Sequence, residues 1–189
     1  GLSGVGVFSL MDQGSNNGRG IIPAPPDAWT RIYAGWETST EINYNDLINL
    51  KSGEANHIVK VNIGQDEYFL IENRNNWYRD GVSIDSARHR VWEKTDAHPS
   101  FINGLMDAVG AKKNDNGGIT EISNYNLGLP ASGLLIWHID EKKIREGLDS
   151  FSINSDRKHR GIDLEEADGA QDMGYISNLF TDPSSGYWG

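Results

Sequence analysis

Two apolar runs decide the fold of this 189-residue chain: YFLIE at residues 68–72 and GLLIWHI at residues 133–139. Short runs that are apolar on both faces are typical of strands buried in the middle of a sheet. Residues 57–63 alternate between two faces, and residues 64–66 have the composition of a turn. The sequence therefore predicts an antiparallel hairpin beside another central strand.

One helix is predicted early in the chain, after the prolines at positions 23, 25 and 26. Asp27 lies at its start, and the large apolar side chains that follow recur at helical spacing. These side chains are Trp29, Ile32, Tyr33 and Trp36. We expect them to contact the core, since an apolar stripe on a helix usually faces the interior.

The remaining predicted elements are short. Residues 5–10 are typical of a strand, residues 100–109 and 140–147 of short helical segments, and residues 114–118 of a hairpin turn. The sequence as a whole predicts an α+β fold: a mostly antiparallel sheet with one early helix and a few short helices. We expect a single domain over residues 1–189.

Composition excludes several classes of function. The chain has 17 Lys and Arg against 27 Asp and Glu, a net charge of −10, and no cysteine. Such a charge disfavours nucleic acid and anionic membrane surfaces as partners. The lack of cysteine excludes disulfides, thiol catalysis and cysteine-ligated metal centres.

Histidine spacing bears on zinc chemistry. None of the five histidines lies three or four residues from another, and the chain has no His-Glu-x-x-His motif. Peptidase zinc sites usually take two histidines one helical turn apart. We therefore assign no catalytic residue within this chain.

Two polar residues stand on the apolar strands. Glu72 shares a strand face with Tyr68 and Leu70, and His138 shares one with Ile136. A lone buried carboxylate is costly, so Glu72 needs a partner. We hypothesise that Glu72 and His138 pair, if the two strands are neighbours.

The last 29 residues carry six acidic residues and no Lys or Arg. Carboxylates on glycine-rich loops suit Ca²⁺, which takes six to eight oxygen ligands. A solvated acidic surface explains the same composition. Spacing alone leaves both interpretations open.

Five stretches, in order along the chain, resemble the carboxy-terminal half of the peptidase domain in the immune inhibitor A family of secreted bacterial zinc metallopeptidases. They are FSLMDQGS at 8–15, the segment from Pro23 to Trp36, YFLIENR at 68–74, LPASGLLIWHIDE at 129–141 and DLEEADG at 163–169.

The resemblance implies a scaffold and substrate-cleft role in a secreted endopeptidase. Met11 would be the floor of the zinc site without being a ligand, and residues 12–22 would line the cleft for a peptide substrate. The zinc-binding helix would lie upstream, in the half of the domain that this chain would contact. Because the chain opens on glycine and lacks a signal peptide, we expect a fragment. Because the zinc-binding motif is missing from it, we expect the chain alone to be inactive.

Members of the family also carry structural calcium. By resemblance, Asp168, Asp172 and Asp182 are the first choices for calcium ligands, because their loop is rich in glycine. Residues 75–128 exceed the short link expected there and are predicted to be an insertion. Two alternatives remain: a non-catalytic module that binds protein or carbohydrate through exposed aromatic residues, and a structural domain stabilised by calcium.

Overall fold

The computed structural model describes residues 4–20, 22–43, 45–79, 82–83, 111–117, 119–122, 124–169 and 173. The strands in these ranges are β1 (Ser39–Glu41), β2 (Ile58–Asn62), β3 (Glu67–Arg74), β4 (Trp77–Arg79), β5 (Val82–Ser83), β6 (Lys112–Lys113), β7 (Ile119–Glu121), β8 (Gly133–Asp140) and β9 (Ile162–Leu164). The helices are α1 (Ala28–Tyr33) and α2 (Glu141–Gly147), and 3₁₀ segments cover Gly6–Phe8, Gln13–Gly20 and Tyr125–Gly128. The predicted α+β class is confirmed.

The main sheet has five strands in the order β1-β2-β3-β8-β9. Only β1 and β2 are parallel; the other neighbours are antiparallel. The predicted hairpin is β2 and β3, with Asn62 opposite Tyr68. Strand β3 is the central strand, and it pairs with β8 along its whole length, from Glu67 opposite Asp140 to Arg74 opposite Gly133. Both central strands therefore lie where their apolar sequences predict.

One face of the sheet holds the core. Its side chains alternate with those of the opposite face, as the pleat requires. The buried residues that pack together from this face and from α1 include Ile58, Leu70, Trp137, Ile139, Leu164, Ala28 and Trp29. The apolar run of β8 thus supplies the centre of the core.

Helix α1 begins where the sequence indicates, but its aromatic residues do not all face the core. Asp27 caps the helix by accepting a hydrogen bond from the Thr30 amide at 2.8 Å. Trp29 is buried, whereas Tyr33 and Trp36 are 65% and 67% exposed. The expectation that all the aromatics contact the core is wrong for Trp36, which lies beyond the end of the helix at Tyr33. Tyr33 is exposed but contacts the core residue Trp29, since the two rings stack with centroids 4.7 Å apart.

The predicted strand over residues 5–10 is also wrong, since a 3₁₀ turn covers Gly6–Phe8 instead. The Asp12 carboxylate accepts hydrogen bonds from the amides of Gly4, Val5 and Gly6 at 3.1, 3.2 and 2.9 Å. Gly6 has a φ of +52°. Amides that converge on one oxygen are not free to join a strand ladder, so a polar side chain overrides the apolar pattern.

The other short elements agree with the sequence where the structure describes them. Strands β6 and β7 form the hairpin predicted around residues 114–118, and α2 begins after Asp140, whose side chain accepts from the Lys143 amide. The helix predicted at 100–109, and much of the insertion predicted at 75–128, lie outside the described residues. Within the described ranges, no helix is long and apolar enough to span a membrane.

Candidate functional site

The candidate site is the tight turn over residues 9–12, which contains Met11, the residue predicted by resemblance to be the floor of a zinc site. Ser9 is fully buried and anchors the turn. Its hydroxyl donates to the Asp27 carboxylate at 3.0 Å and accepts from the amides of Met11 and Asp27 at 3.2 and 3.1 Å. The first residue of the turn is therefore tied to the cap of α1.

Asp12 fixes the other side of the turn. Its carboxylate holds the three amides of residues 4–6 described above. The Ser9 carbonyl accepts from the amides of Asp12 and Gly14 at 3.1 and 3.0 Å. A Cβ at Gly14 would stand 2.4 Å from that carbonyl oxygen, so the close approach requires glycine.

The turn presents its two apolar side chains outward. Met11 is 67% exposed and Leu10 is 40% exposed. A methionine in a tight turn is ordinarily explained by packing into the core, but this one is not in the core. The chain therefore holds an apolar side chain at the surface on a backbone that many hydrogen bonds fix.

A buried ionic cluster supports the turn from the sheet. Glu72 of β3 is 5% exposed. It forms ion pairs with Arg31 at 2.5 Å and Arg74 at 2.8 Å, and it accepts a hydrogen bond from the Trp137 indole at 2.8 Å. A buried carboxylate is tolerated when partners of this kind surround it. This is the cluster that satisfies the predicted need of Glu72 for a partner.

The two arginines extend the cluster to both ends of the loop that contains the turn. Arg74 donates to the carbonyl oxygens of Phe8 and Pro26 at 2.8 and 2.9 Å. Arg31 also donates to the Pro26 carbonyl. Arg74 of strand β3 therefore contacts the residues that directly precede Ser9 and Asp27, and Arg31 contacts the second of them. The position of the turn is thus set by the sheet.

Electrostatics keep Glu72 ionised. Burial alone would raise the pKa of its carboxyl group, but Arg74 and Arg31 outweigh that effect and hold the pKa below its ordinary value. Glu72 is therefore a carboxylate at neutral pH. A charged, fully bonded carboxylate at this position is a structural anchor, since its oxygens are occupied.

The hypothesis that Glu72 pairs with His138 is wrong. His138 is opposite Phe69 in the β3–β8 register, and Phe69 is an odd number of residues from Glu72. The two side chains therefore lie on opposite faces of the sheet. His138 instead contacts Glu67, with Nε2 3.2 Å from a carboxylate oxygen.

The predicted calcium ligands are described only in part. Asp168 lies in an exposed turn closed by a hydrogen bond from the Gly169 amide to the Glu166 carbonyl at 2.9 Å. Asp172 and Asp182 lie outside the described residues. In the parts of the chain that the structure describes, no three His, Asp or Glu side chains are grouped to hold a metal ion. The calcium site stays a prediction.

Sequence reasoning missed the residues that hold the turn in place. Arg31 and Arg74 are buried cations, and no local pattern distinguishes them from exposed ones. The one available signal was Glu72, whose place on an apolar strand indicated a buried partner. The position of Arg74 two residues later, on the same strand face, would have been consistent with that partner.

Comparisons with known proteins add no relative. No protein-family model, no curated protein and no solved structure matches the chain. Any functional assignment therefore depends on the sequence motifs and on the geometry of the turn.

Proposed function

We propose that this chain is the scaffold and substrate-cleft half of a secreted zinc endopeptidase similar to the immune inhibitor A family. Met11 would form the floor of the zinc site, and the zinc ligands and the glutamate general base would come from a segment outside these 189 residues. Zinc would activate a water for attack on the peptide bond of a protein or peptide substrate. Alone, the chain would be inactive.

The single observation that supports this proposal is the exposure of Met11 on a fixed turn. Ser9, Asp12 and Asp27 constrain the backbone on both sides of Met11, yet its side chain is 67% exposed. Holding an apolar side chain at the surface does not stabilise the isolated fold. The exposed Met11 side chain would be explained if another part of the protein, outside these 189 residues, packed against it.

The test compares two substitutions in the protein expressed from the complete reading frame that encodes this chain. Met11→Ala is expected to reduce peptide hydrolysis while changing the free energy of unfolding by less than about 0.5 kcal/mol, since the side chain is exposed. Met11→Leu, which keeps the volume, should retain more activity. Phe151→Ala is the matched control, because Phe151 is an exposed apolar residue of another turn.

Two results would contradict the proposal. One is unchanged hydrolysis in Met11→Ala. The other is a loss of activity that follows a loss of fold in Met11→Ala, because the residue would then be a structural one.

A second candidate is a non-catalytic binding module. The observation that favours it is the exposure of two aromatic residues, Tyr33 at the end of α1 and Trp36 three residues further on. The Tyr33 ring is stacked on Trp29, with centroids 4.7 Å apart, and is therefore held in a fixed orientation. Exposed, preorganised aromatic rings are common anchors for ligands. If Tyr33→Ala loses binding to a protein or carbohydrate ligand while peptide hydrolysis is unchanged, the binding role is distinguished from the peptidase role.

A further inference from the structure

The chain contains three Asn-Gly pairs, at residues 17–18, 103–104 and 116–117. In an Asn-Gly pair, the backbone nitrogen of glycine can attack the asparagine side-chain carbonyl. The amide carbon–nitrogen bond breaks, ammonia leaves, and a cyclic imide forms. Water then opens the imide at either carbonyl to give aspartate or isoaspartate. Glycine favours this step because it has no side chain to block the approach.

Asn116 lies at the tip of the β6–β7 hairpin, and its side chain is exposed. The hairpin is small: its strands are Lys112–Lys113 and Ile119–Glu121, and their pairing contains a register shift. Hairpins of this size are marginal, so the turn opens easily. Opening frees the Gly117 amide, which in the closed turn donates to the Asn114 carbonyl at 2.9 Å.

The backbone around Gly117 is also uncrowded. Its φ is +79°, and no atom lies within 4 Å of the position that a Cβ would take. Once the hydrogen bond to Asn114 opens, no other atom crowds the Cα of Gly117.

Asn17 has the same sequence context and a different environment. Its side-chain nitrogen donates to the Val7 carbonyl at 2.8 Å, and its backbone carbonyl accepts from the Ile22 amide at 3.3 Å. It lies in the 3₁₀ segment Gln13–Gly20, and its Cβ is 3.0 Å from the position a Cβ would take at Gly128. Attack at Asn17 therefore requires this packed loop to unfold.

We propose that Asn116 is a site of spontaneous deamidation and that the fold protects Asn17. The modification adds one carboxylate beside Asp115, in a chain whose net charge is already −10. Where isoaspartate forms, the backbone gains a methylene group, and the hairpin turn cannot close as before. This inference is independent of the proposed peptidase function.

The experiment ages the folded protein at mildly alkaline pH and physiological temperature, and then maps its peptides by mass spectrometry. Isoaspartate is detected by enzymatic methyl transfer. Modification at Asn116 is expected to be more than about tenfold faster than at Asn17, because local opening of the hairpin needs less free energy than opening of the packed loop. In denaturant, the two sites should react at similar rates.

Two variants make the assignment specific. Asn116→Gln should abolish the signal from the hairpin and leave Asn17 unchanged. Asn17→Gln should leave the signal from the hairpin unchanged. Equal deamidation rates at Asn17 and Asn116 in the folded protein would overturn the proposal. Deamidation of Asn116 in denaturant but not in the folded protein would overturn it too. Because wild-type protein carries both sites, the comparison stands even if a variant fails to fold.

Discussion

Replacing Glu72 by glutamine removes one charge from the buried cluster while keeping the size of the side chain. In Glu72→Gln, Arg74 stays buried without the carboxylate that it shares with Arg31, while Arg31 keeps its second ion pair, with Glu37 at 3.0 Å. Removing one partner of a buried ion pair typically costs about 3–5 kcal/mol, because the remaining charge is uncompensated. For a domain of this size, that corresponds to a fall in melting temperature of about 6–20 °C.

The assay is equilibrium unfolding in urea, followed by tryptophan fluorescence and circular dichroism. Glu54→Gln is the matched control: it removes a carboxylate that pairs with Lys51 and His57 at the surface. Exposed pairs of this kind contribute about 0–1 kcal/mol. A double-mutant cycle with Arg74→Met measures the coupling directly, and the double variant should lose less stability than the sum of the single variants.

One result would refute the reasoning. If Glu72→Gln lowers the free energy of unfolding by no more than Glu54→Gln does, the cluster does not anchor the fold. The claim that the sheet sets the position of the Met11 turn through Arg74 would then lose its physical basis.

Three further predictions follow from the same structure. The pKa of Glu72 is lower in the folded protein than in the unfolded chain. Its contribution to the free energy of unfolding is therefore complete above about pH 4.3 and is lost as the pH falls through the folded pKa. Acid titrations of stability should show this loss in wild type and a smaller one in Glu72→Gln. Gly14→Ala places a Cβ 2.4 Å from a backbone oxygen and should cost about 1–3 kcal/mol, whereas in Gly64→Ala the nearest atom is 3.5 Å away and urea midpoints should barely move. Millimolar calcium should raise the melting temperature in wild type and less so in Asp168→Asn, because an ion that binds only the folded state stabilises it; an unchanged melting temperature in wild type would remove the predicted site.

The sheet could be predicted because its signals are local. The apolar runs of β3 and β8 and the turn between β2 and β3 each specify their own element. The predicted hairpin between β6 and β7 rests on the same kind of signal. Patterns of this length report burial and pairing without knowledge of the rest of the chain.

The errors arose where distant or polar contacts decide the structure. The N-terminal segment looks like a strand, but the Asp12 side chain binds its amides. His138 and Glu72 both lie on central strands, and only the register shows that they face opposite sides. Arg74 looks like a surface residue until the fold places Glu72 and Pro26 around it. These contacts cannot be read from spacing, because they depend on how separate elements meet.

The most direct test of the central claim is to express the complete reading frame that encodes this chain and to measure bound zinc by elemental analysis together with hydrolysis of casein. The account predicts about one zinc per protein and hydrolysis that a chelator abolishes. The 189-residue chain alone should show neither. A zinc-free, inactive product of the complete frame would contradict the peptidase assignment, and zinc-dependent hydrolysis by the short chain would contradict the claim that its catalytic residues lie elsewhere.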